Sequence, residues 1–312
     1  MSKNLAKLCK TLQLSEIEVG AIKDASFPLK VPQDFLEQIK PGEANDPLLK
    51  QVLPIKAELE INDAYSKDPV GDLLKNPSPA LIHKYHGRVL LIASPKCDIH
   101  CRYCFRRHFP YQEQTNQRHW QQALKAISED KTIHEVILSG GDPMSLNENT
   151  LMDLIESIEK IEHITTLRIH SRTPIVAPSK APQNALLAWA KKSRLNKVLV
   201  VHCNHANELS EKTAGLLKCY RESGFQLLNQ SVLLKGINDS SETLIELSHA
   251  LFKQDVLPYY LHQLDKVQGA SHFEVIDKDA LKLMNAIRPK LPGYLVPKLV
   301  REEAGKPNKS PI

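Results

Sequence analysis

Three cysteines, Cys97, Cys101 and Cys104, fall close together in the stretch CDIHCRYCFRRHF. Thiolates at such short spacing bind soft metals, either as a zinc ion or as an iron–sulfur cluster. A structural zinc ion requires four ligands, and His100 or His108 could supply the fourth. A four-iron cluster held by three cysteines keeps an open position at one iron, where a small molecule can bind directly. The spacing alone leaves both kinds of site open.

The composition is that of a packed globular protein. The chain has 312 residues, of which 42% are hydrophobic and 25% are charged, enough for one large domain or a domain with an appendage. A net charge of +5 suits anionic substrates or cofactors but is too weak to indicate nucleic-acid binding. No apolar run reaches the ~18 residues of a membrane span, and the start MSKNLAKLCK lacks a secretory signal. We therefore expect a cytoplasmic protein without disulfides and without a nucleic-acid or membrane partner.

From residue 88 onward, strand-like runs alternate with helix-like segments. Between the runs, apolar residues recur at i, i+3, i+4 and i+7, the spacing of helices that pack on a sheet. Such alternation predicts an α/β fold with a parallel sheet, and six units predict a partial (β/α)6 barrel rather than a closed ring of eight. The six predicted strands cover residues 88–93, 135–140, 166–171, 197–203, 226–234 and 256–263.

The sequence divides into three regions. Residues 1–80 contain short helical patterns and eight prolines between positions 28 and 79, so we expect a helical, loop-rich segment wrapped on the core. Residues 81–305 form the predicted core domain, and residues 306–312 form a short tail.

Chemistry in a parallel α/β fold gathers at the carboxyl ends of the strands. The three cysteines directly follow the first predicted strand, so we expect the functional site at this edge. Taken alone, a Gly-Gly-Asp turn or a single histidine or glutamine there is as well explained by ordinary structure. The other residues at this edge are Gly140, Gly141 and Asp142 at the end of the second strand, His202 at the end of the fourth, Gln230 in the fifth and Asp265 after the sixth.

The C-x3-C-x2-C spacing after the first strand, with a Gly-Gly-Asp turn after the second, resembles the radical SAM enzymes. The resemblance implies that Cys97, Cys101 and Cys104 bind a [4Fe–4S] cluster whose open iron chelates S-adenosylmethionine (SAM). In that family an electron from the cluster then releases a 5′-deoxyadenosyl radical. The resemblance also implies SAM contacts for Tyr103, Gly140, Gly141, Asp142, His202 and Gln230.

The stretch GYLVPKLVREEAGKPNKSPI closely resembles the end of the catalytic core in lysine 2,3-aminomutases. This resemblance places Lys309 on the lysine that binds pyridoxal phosphate (PLP) in that family. Lys306 is a rival, because only Gly305 remains of the glycine run that usually precedes the PLP lysine. The stretch HKYHGRVLLI resembles the family segment that grips the PLP phosphate, which implies that role for Lys84 and Arg88.

The same resemblance implies a lysine substrate. Arg106 falls where the family binds the substrate carboxylate, a group that matches the bidentate fork of arginine. Asp265 and Glu302 fall on the two carboxylates that bind the distal ammonium, although Glu303 could replace Glu302. The implied activity is that of an isomerase that uses SAM and PLP to convert L-lysine to (R)-β-lysine.

The resemblance runs from about residue 45 to the end, and the short form is most similar to bacterial members linked to elongation factor P. It implies a functional link to elongation factor P and its lysyl ligase, and an electron donor of flavodoxin or ferredoxin type. One alternative is a radical SAM enzyme that acts on another amino acid or on a partner protein. Another is a zinc-bearing module that binds nucleic acid through the basic and aromatic residues of CRYCFRRHF.

Overall fold

The computed structural model describes residues 2–22 and 27–312, and these form one nine-stranded sheet with its strands in chain order. Strands β2 to β8 pair in parallel, and β1 and β9 each add an antiparallel strand at one edge. The strands are β1 (Leu81–Tyr85), β2 (Arg88–Ser94), β3 (Glu135–Gly140), β4 (Thr166–Ser171), β5 (Asn196–Val201), β6 (Phe225–Val232), β7 (Leu257–His262), β8 (Lys298–Arg301) and β9 (Ser310–Pro311).

Helices join the parallel strands. Four of the longer ones begin at an Asn or Ser side chain that accepts a hydrogen bond from the first turn, as helix N-termini require. The helices are α1 (Ser2–Thr11), α2 (Gln33–Leu36), α3 (Pro47–Lys50), α4 (Tyr111–Gln114), α5 (Gln117–Glu129), α6 (Glu148–Glu159), α7 (Thr173–Val176), α8 (Ala185–Ala190), α9 (Glu211–Glu222), α10 (Ser241–Phe252) and α11 (Asp277–Ile287).

The α/β fold and the parallel strands are confirmed. The six predicted strands correspond to β2 through β7, with ends shifted by at most two residues. The parallel series has a seventh member, β8, which the sequence did not predict because four residues are too few to show a period. The hairpin strand β1 was also missed, since its residues LIHKY do not alternate between apolar and polar.

The N-terminal region shares its hydrophobic core with the sheet. Leu5 and Phe35 are buried in the same cluster as Leu91 of β2 and Leu217 of α9. At the other end, Ile312 packs on a second cluster under β7 and β8, which holds β9 in the sheet. The six cysteines are free thiols. In the part of the chain that the structure describes, no helix is both long and apolar enough to cross a membrane.

Candidate active site

The three cysteines lie in the loop that follows β2, at the carboxyl edge of the sheet. The Gly-Gly-Asp turn after β3 packs directly against this loop. A Cβ atom on Gly141 would lie 2.4 Å from the carbonyl oxygen of Lys96, so only glycine fits there. The backbone N–H of Gly141 donates to Ser94 O (2.8 Å) and that of Asp142 to Lys96 O (2.7 Å). The glycine turn therefore fixes the start of the cysteine loop.

Both histidines that could complete a zinc site bind elsewhere. His100 Nδ1 lies 2.8 Å from Pro28 O, and its ring stacks on Phe27 with centroids 4.9 Å apart. His108 Nε2 faces the carbonyl oxygen of Gln268. Within residues 2–22 and 27–312, no group of three or more His, Cys, Asp or Glu side chains is arranged to hold a single metal ion. The contacts of the two histidines speak against a zinc site at these cysteines.

The three thiols fit an iron–sulfur cluster. A cluster binds each thiolate at a separate iron, so the sulfurs do not have to converge on one ion. Burial raises the pKa of Cys97, and nearby Asp142 raises it further. Burial and the neighbouring Cys101 raise the pKa of Cys104 to about 11. A cationic partner such as iron is needed to hold these groups as thiolates.

Tyr103 lies in the cysteine loop and is buried beside the end of β5. Its ring stacks on His202, with centroids 5.7 Å apart. Its hydroxyl lies 3.2 Å from His202 Nε2 and accepts a hydrogen bond from Asn204 Nδ2 (2.6 Å). Burial, with help from Arg172, holds the pKa of His202 well below its usual value, so this imidazole is neutral. Gln230 of β6 lies next along the edge, paired in register with Tyr260 of β7.

Arg172, directly after β4, reaches the cysteine loop and was not predicted. Its Nη1 lies 2.6 Å from Cys101 Sγ. Its Nη2 forms an ion pair with Glu208 at 3.0 Å and donates to Gln51 Oε1 at 2.7 Å. These three partners come from three separate segments, so no local pattern in the sequence could reveal them.

The carboxylate of Asp142 is fully occupied within the protein. It accepts hydrogen bonds from Ser171 Oγ (2.6 Å) and from the backbone N–H groups of Met144, Arg172 and Thr173. Asp142 thus ties the end of β3 to the end of β4 and supports the glycine turn.

A second group of predicted residues meets where β1 comes close to β8 and β9. The Lys309 ammonium donates a hydrogen bond to Glu302 Oε2. The other oxygen of Glu302 accepts from Tyr85 Oη (2.8 Å) and lies 3.3 Å from Lys84 Nζ. Lys309 Nζ also lies 6.0 Å from the centre of the Tyr260 ring.

The hairpin between β8 and β9 places Glu302 and Lys309. Glu302 follows β8 and Lys309 precedes β9, so strand pairing brings both side chains together. The six residues between them, 303–308, are exposed. The geometry therefore favours Lys309 over Lys306, and Glu302 over Glu303, for roles inside the site.

Asp72 extends the ionic group to Arg106. Its Oδ1 lies 2.6 Å from Lys84 Nζ, and its Oδ2 accepts from Arg106 Nε at 2.7 Å. Arg106 Nη1 also donates to Ser139 Oγ of β3 at 3.3 Å. Arg88, the other residue expected at a phosphate, lies with its guanidinium 4.8 Å from the Tyr85 ring centre. The sequence did not predict Asp72, which connects Lys84 to Arg106.

The charges in this group are fixed by burial and by one another. Burial would raise the pKa of Glu302, but Lys309, Lys84 and the Tyr85 hydroxyl lower it to about 2. Burial raises the pKa of Asp265 to about 7, although Lys309 opposes the change. Burial and Lys309 lower the pKa of His262 to about 3, so this imidazole is neutral.

A cavity of about 810 Å³ opens beside these residues. Asp265 and Glu302 lie in its wall, together with segments from the N-terminal region and from the start of α11. Its lining contains more acidic than basic side chains, which suits a cationic molecule. The charged lining residues are Asp265, Glu274, Asp277, Glu302, Glu303, Lys266, Lys278 and Arg301.

A family model described as a 4Fe-4S single cluster domain matches residues 86–181, which include the three cysteines. L-lysine 2,3-aminomutase of Escherichia coli (strain K12) is 47% identical, covering 92% of this chain and 83% of that protein. The protein of the same name from Haemophilus influenzae is 44% identical, covering 97% and 90%. That from Clostridium subterminale is 32% identical, covering 99% and 75%. The matches to the three aminomutases each extend over nearly the whole chain, whereas the family model covers the part around the cysteines.

Proposed function

The chain belongs to the lysine 2,3-aminomutase family of radical SAM enzymes, and we propose that it converts L-lysine to (R)-β-lysine. The observation that carries this proposal is the ionic group of Lys84, Glu302 and Lys309, which joins the first strand to the last. It stands beside Asp265 and a cavity with an acidic lining, where a cationic amino acid can bind. The names of the relatives support the choice of lysine.

The residues fit the cofactors of such a reaction. We assign Cys97, Cys101 and Cys104 to the [4Fe–4S] cluster, and Lys309 to PLP. When bound, the cluster, SAM and PLP supply the radical chemistry that removes an unactivated hydrogen, a step that no side-chain base can perform. We assign the PLP phosphate to Lys84 and Arg88, and the SAM contacts to Tyr103, Gly140, Gly141, His202 and Gln230. Asp142 belongs to the same proposed SAM site, where its occupied carboxylate supports the glycine turn.

The remaining residues would bind and orient the substrate. Arg106 would hold the α-carboxylate by two parallel hydrogen bonds. Asp265 and Glu302 would hold the distal ammonium. In the structure Lys309 donates to Oε2 of Glu302, so attachment of Lys309 to PLP would leave that oxygen open when the substrate ammonium arrives. One carboxylate would thus serve the lysine side chain before binding and the substrate afterwards.

We also propose that the product serves the modification of elongation factor P through its lysyl ligase. The electron would come from a donor of flavodoxin or ferredoxin type. Both partners are proposed from sequence resemblance to the short bacterial members of the family.

The test is anaerobic incubation of the reconstituted, reduced protein with SAM, PLP and L-lysine, followed by chiral analysis of the products. We expect β-lysine from the native protein and none from Cys101→Ala or Lys309→Ala. The Cys101 variant should lose iron, and the Lys309 variant should keep iron but lose the absorbance of bound PLP. Formation of 5′-deoxyadenosine without β-lysine would overturn the choice of substrate and favour another amino acid. Purified protein with zinc and without iron would overturn the whole proposal.

A further inference from the structure

The carboxylate of Asp72 has no role in the function proposed above, yet it lies between two cations of the site. We propose that Asp72 is a positioning residue that holds the Arg106 guanidinium in the orientation that receives the substrate α-carboxylate. This inference rests on the proposed function, because it takes lysine as the ligand of Arg106.

The guanidinium of Arg106 is fixed on several sides. Nε donates to Asp72 Oδ2 at 2.7 Å, and Nη1 donates to Ser139 Oγ at 3.3 Å. The guanidinium carbon lies 4.8 Å from the centre of the Phe105 ring, which supports its plane. Among the described residues, Nη2 has no hydrogen-bond partner. Asp72 and Ser139 therefore set the plane of the Arg106 guanidinium and leave the side with Nη2 for a ligand.

Asp72 is itself held in place and ionised. It is 2% exposed, and its backbone N–H donates to Asp68 Oδ1 at 3.0 Å. Burial would raise its pKa, but Arg106 and Lys84 lower it below the usual value. A buried carboxylate between two cations adds little stability by comparison with apolar packing. Such an arrangement is better explained by its effect on orientation.

The charge of Asp72 also separates two anion sites. Lys84 and Arg106 are assigned to different anions, the cofactor phosphate and the substrate carboxylate. Asp72 binds one cation with each of its oxygens, at 2.6 Å and 2.7 Å. A rigid carboxylate between them fixes the spacing of the two cations, and hence the spacing of the two bound anions.

The experiment measures binding in the absence of turnover. Reconstituted protein with PLP and an unreduced cluster is titrated by calorimetry with L-lysine and with 1,5-diaminopentane, which lacks the carboxylate. We expect Asp72→Asn to weaken lysine binding roughly tenfold to a hundredfold, the effect of losing a charge-assisted hydrogen bond. Binding of 1,5-diaminopentane should change less than about threefold. A purely structural role would weaken both ligands alike.

Matched variants separate positioning from folding. Asp46→Asn removes another buried carboxylate, which caps α3 and accepts only from the backbone of Lys40, Leu48 and Leu49 among the described contacts. It should leave both affinities unchanged. Ser139→Ala removes the other partner of Arg106 and should weaken lysine binding several-fold. In the Arg106→Lys variant, adding Asp72→Asn should change the affinity for L-lysine little further.

Each outcome decides between the proposals. Equal loss of both ligands in Asp72→Asn, or no loss of lysine binding, would overturn the positioning role. If Asp72→Asn does not fold, unchanged lysine affinity in Ser139→Ala overturns it instead. If the native protein binds no lysine, the proposed function itself fails, and the two failures are thereby distinguished.

Discussion

Asp265 is the acidic side chain of the site whose charge changes near neutral pH. Burial raises its pKa to about 7, although the positive charge of Lys309 opposes this change. An unfolded aspartate has a pKa of about 3.9, so the folded protein retains a proton that the unfolded chain loses. The contribution of Asp265 to the free energy of unfolding is therefore full below pH ~4 and falls as the pH rises to ~7. Above pH ~7 the contribution of Asp265 to the free energy of unfolding no longer changes.

A bound ammonium group favours the ionised form of Asp265. We therefore expect the affinity for L-lysine to rise up to about tenfold per unit between pH 6 and 7, and to level off above ~7.5. Calorimetric titration of the unreduced holoprotein over this range measures the effect. Of the neighbours, Glu302 with a pKa of about 2 and His262 with one of about 3 do not titrate there.

The control is Asp265→Asn, which cannot ionise. It should bind lysine more weakly at pH 7.5 and should lose the dependence on pH. A pH dependence of the same size in Asp265→Asn would show that another group causes it.

A second prediction concerns Glu302. Glu302→Gln keeps the size of the side chain but removes the charge that holds Lys309 and Lys84. We expect binding of L-lysine and of 1,5-diaminopentane to weaken equally, roughly tenfold or more, because both ligands carry the distal ammonium. Glu303→Gln, on the exposed loop, is the control and should bind both ligands normally. Equal effects of Glu302→Gln and Glu303→Gln would contradict a specific role of Glu302 in binding the distal ammonium and would assign that role to the loop as a whole.

The clearest predictions of site residues came from short motifs, in which the residue types and their spacing are local. The three cysteines stand within one loop, and Lys309 stands in one motif. Asp72 and Arg172 were missed because their partners lie far away in the chain, as with Arg172 and Glu208. Such contacts depend on the register of the sheet, which no short pattern encodes.

At the level of elements, the segment before β1 is as important for the site as the strands. Lys84 Nζ donates to Val70 O at 2.8 Å, and Ser66 pairs with Val267 after β7. Gly71 has a φ of +66°, and a Cβ there would lie 3.2 Å from the Cβ of Ala304. This segment therefore packs against the loop that carries Lys309.

Gly71→Ala tests this packing. The left-handed backbone should lower the free energy of unfolding by about 1–2 kcal/mol. The added methyl group should also displace Ala304, in the loop that leads to Lys309. We also expect weaker retention of PLP, measured by dialysis and absorbance. Gly215→Ala is the matched control, because Gly215 lies in α9 with nothing within 4 Å of the new Cβ. It should stabilise the protein by about 0.5–1 kcal/mol and leave PLP retention unchanged.

The sequence predicted the strands that form long runs and missed the short ones. The runs of β3 and β4 match their predicted bounds: β3 is buried at every position, and β4 alternates between half-buried and buried residues. In contrast, β8 and β9 have four and two residues and take their stability from pairing with neighbours. Tertiary pairing of this kind leaves almost no trace in local sequence.

At the scale of the whole molecule, the N-terminal region and the cysteine loop are joined by a buried ion-pair group. Arg102 of the loop is fully buried and donates to both oxygens of Glu58 from the N-terminal region. Arg107 forms a second ion pair with Glu58 at 2.9 Å. The guanidinium groups of both arginines lie about 5 Å from the Phe27 ring centre. The two regions also share one core, so we expect them to unfold together.

Glu58→Gln should therefore affect the entire protein and its cluster. It leaves two buried guanidinium groups without a negative partner, which costs about 3–5 kcal/mol. We expect one thermal transition with a Tm lowered by roughly 5–8 °C, together with faster loss of iron from the reconstituted protein. Glu129→Gln removes an exposed pair with Lys125 on α5 and should change neither property measurably. A second transition, in which the N-terminal region melts while the iron stays bound, would contradict this coupling, because Glu58 would then not hold the cysteine loop.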